Sequence, residues 1–111
     1  MRKTELRVQS EAAQAAVTVC ELVDRLPRRW EFMANQLRRS AASVTLNIAE
    51  ASGRLGGDRS YHHRVAYGSA LETKAGIELL GRSKALPREP ALHAWMQVDT
   101  VCAMLWPLAQ R

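Results

Sequence analysis

In four stretches of this chain apolar residues return every three or four positions, and proline or glycine closes each stretch. That spacing gathers side chains on one face of an α-helix, so the chain must bring its helices together to cover their apolar faces. The first stripe runs Val8, Ala12, Ala15, Val19, Leu22 and Leu26, with Pro27 behind it, and the second runs Trp30, Met33, Leu37, Ala41, Val44 and Ile48. Ala66, Ala70, Thr73, Ile77 and Leu80 make the third, and Ala91, Trp95, Val98, Cys102, Leu105 and Ala109 the fourth. Pro27 stops the first helix, and Gly53, Gly56 and Gly57 supply a loop, with Asp58 a good N-cap after it. A basic connector holding Pro87 and Pro90 separates the last two stripes. Predicted helices cover roughly residues 2–26, 30–51, 58–81 and 91–110, and Pro107 kinks or ends the last. Short connections force successive helices to run antiparallel, and 111 residues suffice for one domain. The expected fold is all-α, a single antiparallel up-and-down four-helix bundle.

Several apolar residues lie off these stripes: Ala13, Val17, Cys20, Phe32, Leu46, Ala94, Val101 and Leu108. A lone bundle of this size would leave many of them wet, which predicts a homo-oligomer. A second stripe on helix 2, Gln36, Ser40, Ser43, Asn47 and Glu50, is small and polar, and Ser69 and Glu72 flank the third stripe. It is either a helix–helix or subunit contact or a solvated flank; as a contact, these seven residues are the expected oligomer interface.

The formal charge is +5, and seven bases (Arg28, Arg29, Arg38, Arg39, Arg54, Arg59, Arg64) face only three acids between Arg28 and Arg64. Arginine forks suit phosphate oxygens, so these seven are the candidate nucleic-acid contacts, for RNA or DNA. Arg38 and Arg39 could instead pair with Glu50 or Glu72, whereas Arg28, Arg29 and Arg54 have fewer acids near them in sequence.

No catalytic constellation emerges. The serines lie mid-helix and the cysteines on apolar faces, away from an activating base, and the glycine loop lacks the strand and the Lys-Ser/Thr of a phosphate-binding loop. His62 and Asp58 share a helical face without an evident third ligand, so no metal or other cofactor is expected, and His62, continuing the third stripe backwards, reads as a partly buried histidine. Cys20 and Cys102 read as reduced core residues. The N-terminus has no signal-peptide core, and the longest apolar run, Val101 to Trp106, is far below the ~20 residues that span a bilayer. A non-enzymatic, cytoplasmic protein without membrane contact is expected.

The run Gln36-Leu37-Arg38-Arg39-Ser40, then Ser43, Asn47-Ile48-Ala49-Glu50 and Gly53-Arg54, followed by Ala66, Gly68-Ser69 and Glu72, resembles the proteins encoded by intervening sequences of bacterial 23S ribosomal RNA genes, the S23 ribosomal protein family. Leu26-Pro27 and Glu31 fit its opening, and the likeness covers roughly residues 20 to 86. It implies a four-helix protomer in a ring-like homopentamer. It also implies kinship with the accessory variability determinant proteins of diversity-generating retroelements, basic pentamers that bind nucleic acid and a reverse transcriptase. Ala51 stands where that family tends to have glycine, and His62-His63 where it tends to be apolar. The expected function is nucleic-acid binding; the alternative is a scaffold whose partner is a protein such as a reverse transcriptase.

Overall fold

The computed structural model describes residues 2–111. Helix α1 spans Lys3–Val23, a single 3-10 turn Arg28–Trp30, α2 Glu31–Ser52, α3 Gly56–Arg82 and α4 Arg88–Ala109. Each helix packs against its two neighbours in the order α1, α2, α3, α4 and back to α1, forming a rod of 43 × 22 × 19 Å.

The boundaries differ from the expected ones for local reasons. Helix α1 stops at Val23 because the residue before Pro27 avoids helical geometry, and the chain tightens into i→i−3 bonds from Arg25 to Leu22 and from Leu26 to Val23. Asp58 is not the N-cap of α3. The helix starts at Gly56, whose φ is +56°, and Asp58 falls in its first turn, where a carboxylate faces the positive end of the helix dipole. Helix α4 begins at Arg88 rather than Ala91, because Pro90 lies in a first turn whose amides have no intrahelical acceptor. Pro107 is accommodated inside the last turn.

Most of the four stripes converge on one core. Val8, Val19, Leu37, Ile48, Ile77, Leu80 and Leu105 are at most 1% exposed, and full burial of such a side chain contributes about 1.5–3 kcal/mol. Trp30, Met33 and Trp95 are half-buried at its edge. Ala94, Val101 and Leu108, expected to need a second subunit, are buried within this chain, so the surplus shrinks to residues such as Val17, Phe32 and Leu46, at 53%, 65% and 66% exposure. Cys20 and Cys102 are unpaired thiols, the first half-buried and the second buried.

Helix α3 ends in a Schellman motif: Ala85 N–H donates to the Leu80 carbonyl at 3.0 Å and Lys84 N–H to the Gly81 carbonyl at 3.1 Å. Its left-handed position is Lys84, with φ 64°, the one non-glycine residue among the described ones at positive φ. A side chain there costs about 1 kcal/mol. Lys84→Gly is therefore expected to raise the Tm by about 4 °C or more in a thermal melt followed by circular dichroism. An unchanged or lower Tm would contradict the strain.

Candidate nucleic-acid interface

The polar stripe of α2 closes on α3 of the same chain. Gln36 donates to Glu72, Ser40 and Thr73 share a hydrogen bond of 2.7 Å, and Ser69 donates to Ser43 at 2.9 Å. Asn47 gives its amide hydrogens to Ser43, leaving Oδ1 to accept from His62 Nδ1 at 3.0 Å. Glu50 turns to Arg54. The helix–helix reading of this stripe is the one seen. All seven residues expected at an oligomer interface have hydrogen-bond partners inside the protomer, and Gln36, Glu50 and Glu72 remain exposed. Buried hydroxyls find acceptors, and the small side chains let the two helices approach closely.

Close approach also explains Gly76. A methyl group there would lie 3.2 Å from Leu37 Cγ and overlap one of its methyls. Leu37 thus sits on the bare backbone of α3.

Three of the seven candidate arginines are neutralised at home. Arg38 reaches Asp24 at 2.9 Å and Glu31 at 3.0 Å, not Glu50 or Glu72, and its hydrogen bonds to Asp24 and then Glu31 raise its pKa further. Arg54 holds Glu50 at 2.5 Å, and this hydrogen bond lowers the carboxyl's pKa, so the short distance in sequence mattered after all. Arg59 pairs with Glu5, a carboxylate 1% exposed. That arginine stabilises a buried charge, and removing it would leave the charge uncompensated. By contrast Arg28, Arg29, Arg39 and Arg64 are exposed and have no acidic partner among the described residues.

Antiparallel topology places the α1–α2 and α3–α4 connections at one end of the rod. Between Arg25 and Trp30 and between Arg82 and Arg88 they carry Arg25, Arg28, Arg29, Arg82, Lys84 and Arg88 and no acid. None of the six has an ion-pair partner among the described residues. Only Arg28 and Arg29 were singled out in the sequence. The other four lie outside the Arg28–Arg64 segment, Arg25 just before it and Arg82, Lys84 and Arg88 on a basic connector that reaches Arg28 only when the helices fold back. Beside this basic end, α3 and α4 leave a groove of about 640 Å³ with Ile77, Leu86, Leu92 and Trp95 as its apolar wall, Arg82, Lys84 and Arg88 at its rim, and Glu78 as its acid.

At the opposite end lies a smaller cavity of about 280 Å³, lined by Glu5, Arg59, Ser60 and His63 among others. His62 is partly buried, as its place on the third stripe implies, and His63 beside it is fully buried, at 2% exposure. Burial lowers its pKa, with Glu5 acting in the other direction and the charges of Arg59, Arg111 and His62 adding to the lowering. A histidine whose folded pKa lies below its unfolded value binds its proton preferentially when unfolded. Its contribution to stability is present above about pH 6.5 and lost as pH falls through the lower folded value. The Tm should drop as the pH falls below about 6.5, and His63→Gln should flatten that drop; equal slopes would contradict the assignment. Among the described residues no cluster of His, Cys, Asp or Glu is built to hold a metal ion, and no helix is long and apolar enough to cross a membrane.

The fold and its charge together define a basic, antiparallel four-helix bundle that carries six unpaired bases and no acid on the two helix connections at one end. Residues 4–106 match the family described as 23S rRNA-intervening sequence protein, and the chain belongs to that family. The match extends the resemblance beyond residues 20 to 86. A crystal structure of a protein of unknown function from the S23 ribosomal protein family of Bacteroides thetaiotaomicron superposes with a TM-score of 0.87 at 23% identity, covering 97% of this chain and 99% of that one. At that identity the likeness speaks for the fold alone. Comparison with curated proteins gave no match.

Proposed function

We propose that this protein is a non-enzymatic, oligomeric nucleic-acid-binding bundle that holds phosphates with the bases on its α1–α2 and α3–α4 connections. The observation carrying this reading is the six unpaired bases on two acid-free connections at one end. Free guanidinium and ammonium groups release counterions when they meet phosphate, the main source of sequence-independent affinity. Arg39, two turns into α2, extends the surface, while Arg38, Arg54 and Arg59 keep their positions by pairing within the chain. Exposed Phe32 and Leu46 support assembly into a homo-oligomer, and the family resemblance favours a pentamer, which would repeat the basic end several times. Labelled structured RNA or duplex DNA should be retarded by the protein in native gels at low salt. If neither is retarded, the reading is wrong.

A second reading, a scaffold for a protein partner such as a reverse transcriptase, draws on the three arginines already held in ion pairs and on the exposed apolar residues. A partner that co-purifies after nuclease treatment would favour it.

A further inference from the structure

The groove between the end of α3 and the start of α4 combines three features that general phosphate attraction does not require. It has an aromatic wall, three cations on its rim, and a strained backbone position at one of those cations. Trp95 is fixed by its own chain: Lys74 Nζ lies 4.7 Å from the indole centroid and is tied to Asp99 at 2.7 Å, while the indole also lines the groove. Leu92, 49% exposed, continues the apolar wall one turn earlier. Lys84 occupies the left-handed residue of a helix cap where glycine would fit without strain, and that conformation places a lysine at the rim. Strain retained at a charged, exposed position points to a use for the side chain.

From this arrangement we propose that the groove is a docking site for an unpaired nucleotide of a single-stranded nucleic acid, its base against Trp95 and Leu92 and its flanking phosphates on Arg82, Lys84 and Arg88. Charge complementarity selects this occupant over an apolar peptide or a second copy of the chain, because three bases face the single carboxylate of Glu78. Stacking tolerates any base, since each has a π-face, so single strands are preferred over duplexes without strong sequence preference. Glu78 adds an acceptor for amino groups on a base edge. The inference rests on the basic end being a nucleic-acid surface, and it adds which strand form is held and by which aromatic residue.

The test is fluorescence anisotropy of a short fluorescein-labelled single-stranded RNA and of a matched duplex. Trp95→Leu is expected to weaken single-strand binding about tenfold and leave duplex binding unchanged, and Trp95→Phe to retain most of the affinity. Lys84→Gly should lower single-strand affinity even as it raises the Tm, opposite signs that a purely structural lysine would not give. If Trp95→Leu does not fold, the emission of Trp95 in a Trp30→Phe/Trp106→Phe protein decides, and it should be quenched by the single strand. Undiminished single-strand binding by Trp95→Leu, or unquenched emission, would overturn the groove and leave the basic surface standing. Emission that shifts with protein concentration alone would overturn it in favour of a second copy. Absence of any nucleic-acid binding by the native chain would overturn both.

Discussion

Reversing the charge of Arg28, Arg29, Arg82 and Arg88 together is expected to weaken nucleic-acid binding about a hundredfold at low salt, with no loss of helicity. All four side chains are exposed and lie on or beside the helix connections, and none has an acid partner among the described residues. No native contact is lost in the exchange, and surface substitutions of that kind usually change stability by less than about 0.5 kcal/mol each. What they remove is the positive field of the two connections. Arg54→Ala is the matched control: this arginine already belongs to Glu50, and its loss should change affinity little. Equal losses from the control and the fourfold variant would take its special role from that end of the bundle.

Leu37→Ala is expected to destabilise the bundle by about 3 kcal/mol, and Gly76→Ala to reverse part of that loss. Leu37 is 1% exposed and rests on the glycine backbone of α3. Gly76→Ala alone sets a helix-propensity gain of about 1 kcal/mol against an overlap with Leu37 that costs about 1–3 kcal/mol. Alone it should therefore destabilise modestly. In the Leu37→Ala background the added methyl enters the vacated space, so the same substitution should stabilise. Chemical denaturation of the four proteins gives the coupling directly, and a value near zero would contradict the close α2–α3 approach.

The core was legible because a period of three to four residues needs no tertiary knowledge: nearly every stripe residue from Val8 to Ala109 is buried or lies at the core edge. Helix ends were less legible, since Pro90 and Asp58 are compatible with positions inside a first turn as well as before one. The polar stripe of α2 was seen but its partner was not. Spacing says that Ser40 and Asn47 share a face, and only the antiparallel register says that Thr73 and His62 meet them. Counting charge along the chain did not reveal that Arg38, Arg54 and Arg59 are paired: Glu31 and Glu50 lie within two turns in sequence, whereas Asp24 caps the first helix and Glu5 lies within it. The same counting, begun at Arg28, passed over Arg25 just before it and over Arg82, Lys84 and Arg88, which reach Arg28 and Arg29 only through topology. Trp95 read as core, and its second role at a groove wall has no signature in spacing.

The most direct measurement is the dependence of the association constant on salt, for the native protein and for the fourfold charge-reversal variant, with the same labelled RNA. Six bases meeting phosphate should give a slope of log K against log salt of roughly −4 to −5 for each bound protomer, and the variant a much shallower one. A native slope near zero, or identical slopes for the two proteins, would contradict the assignment of the basic end to nucleic acid.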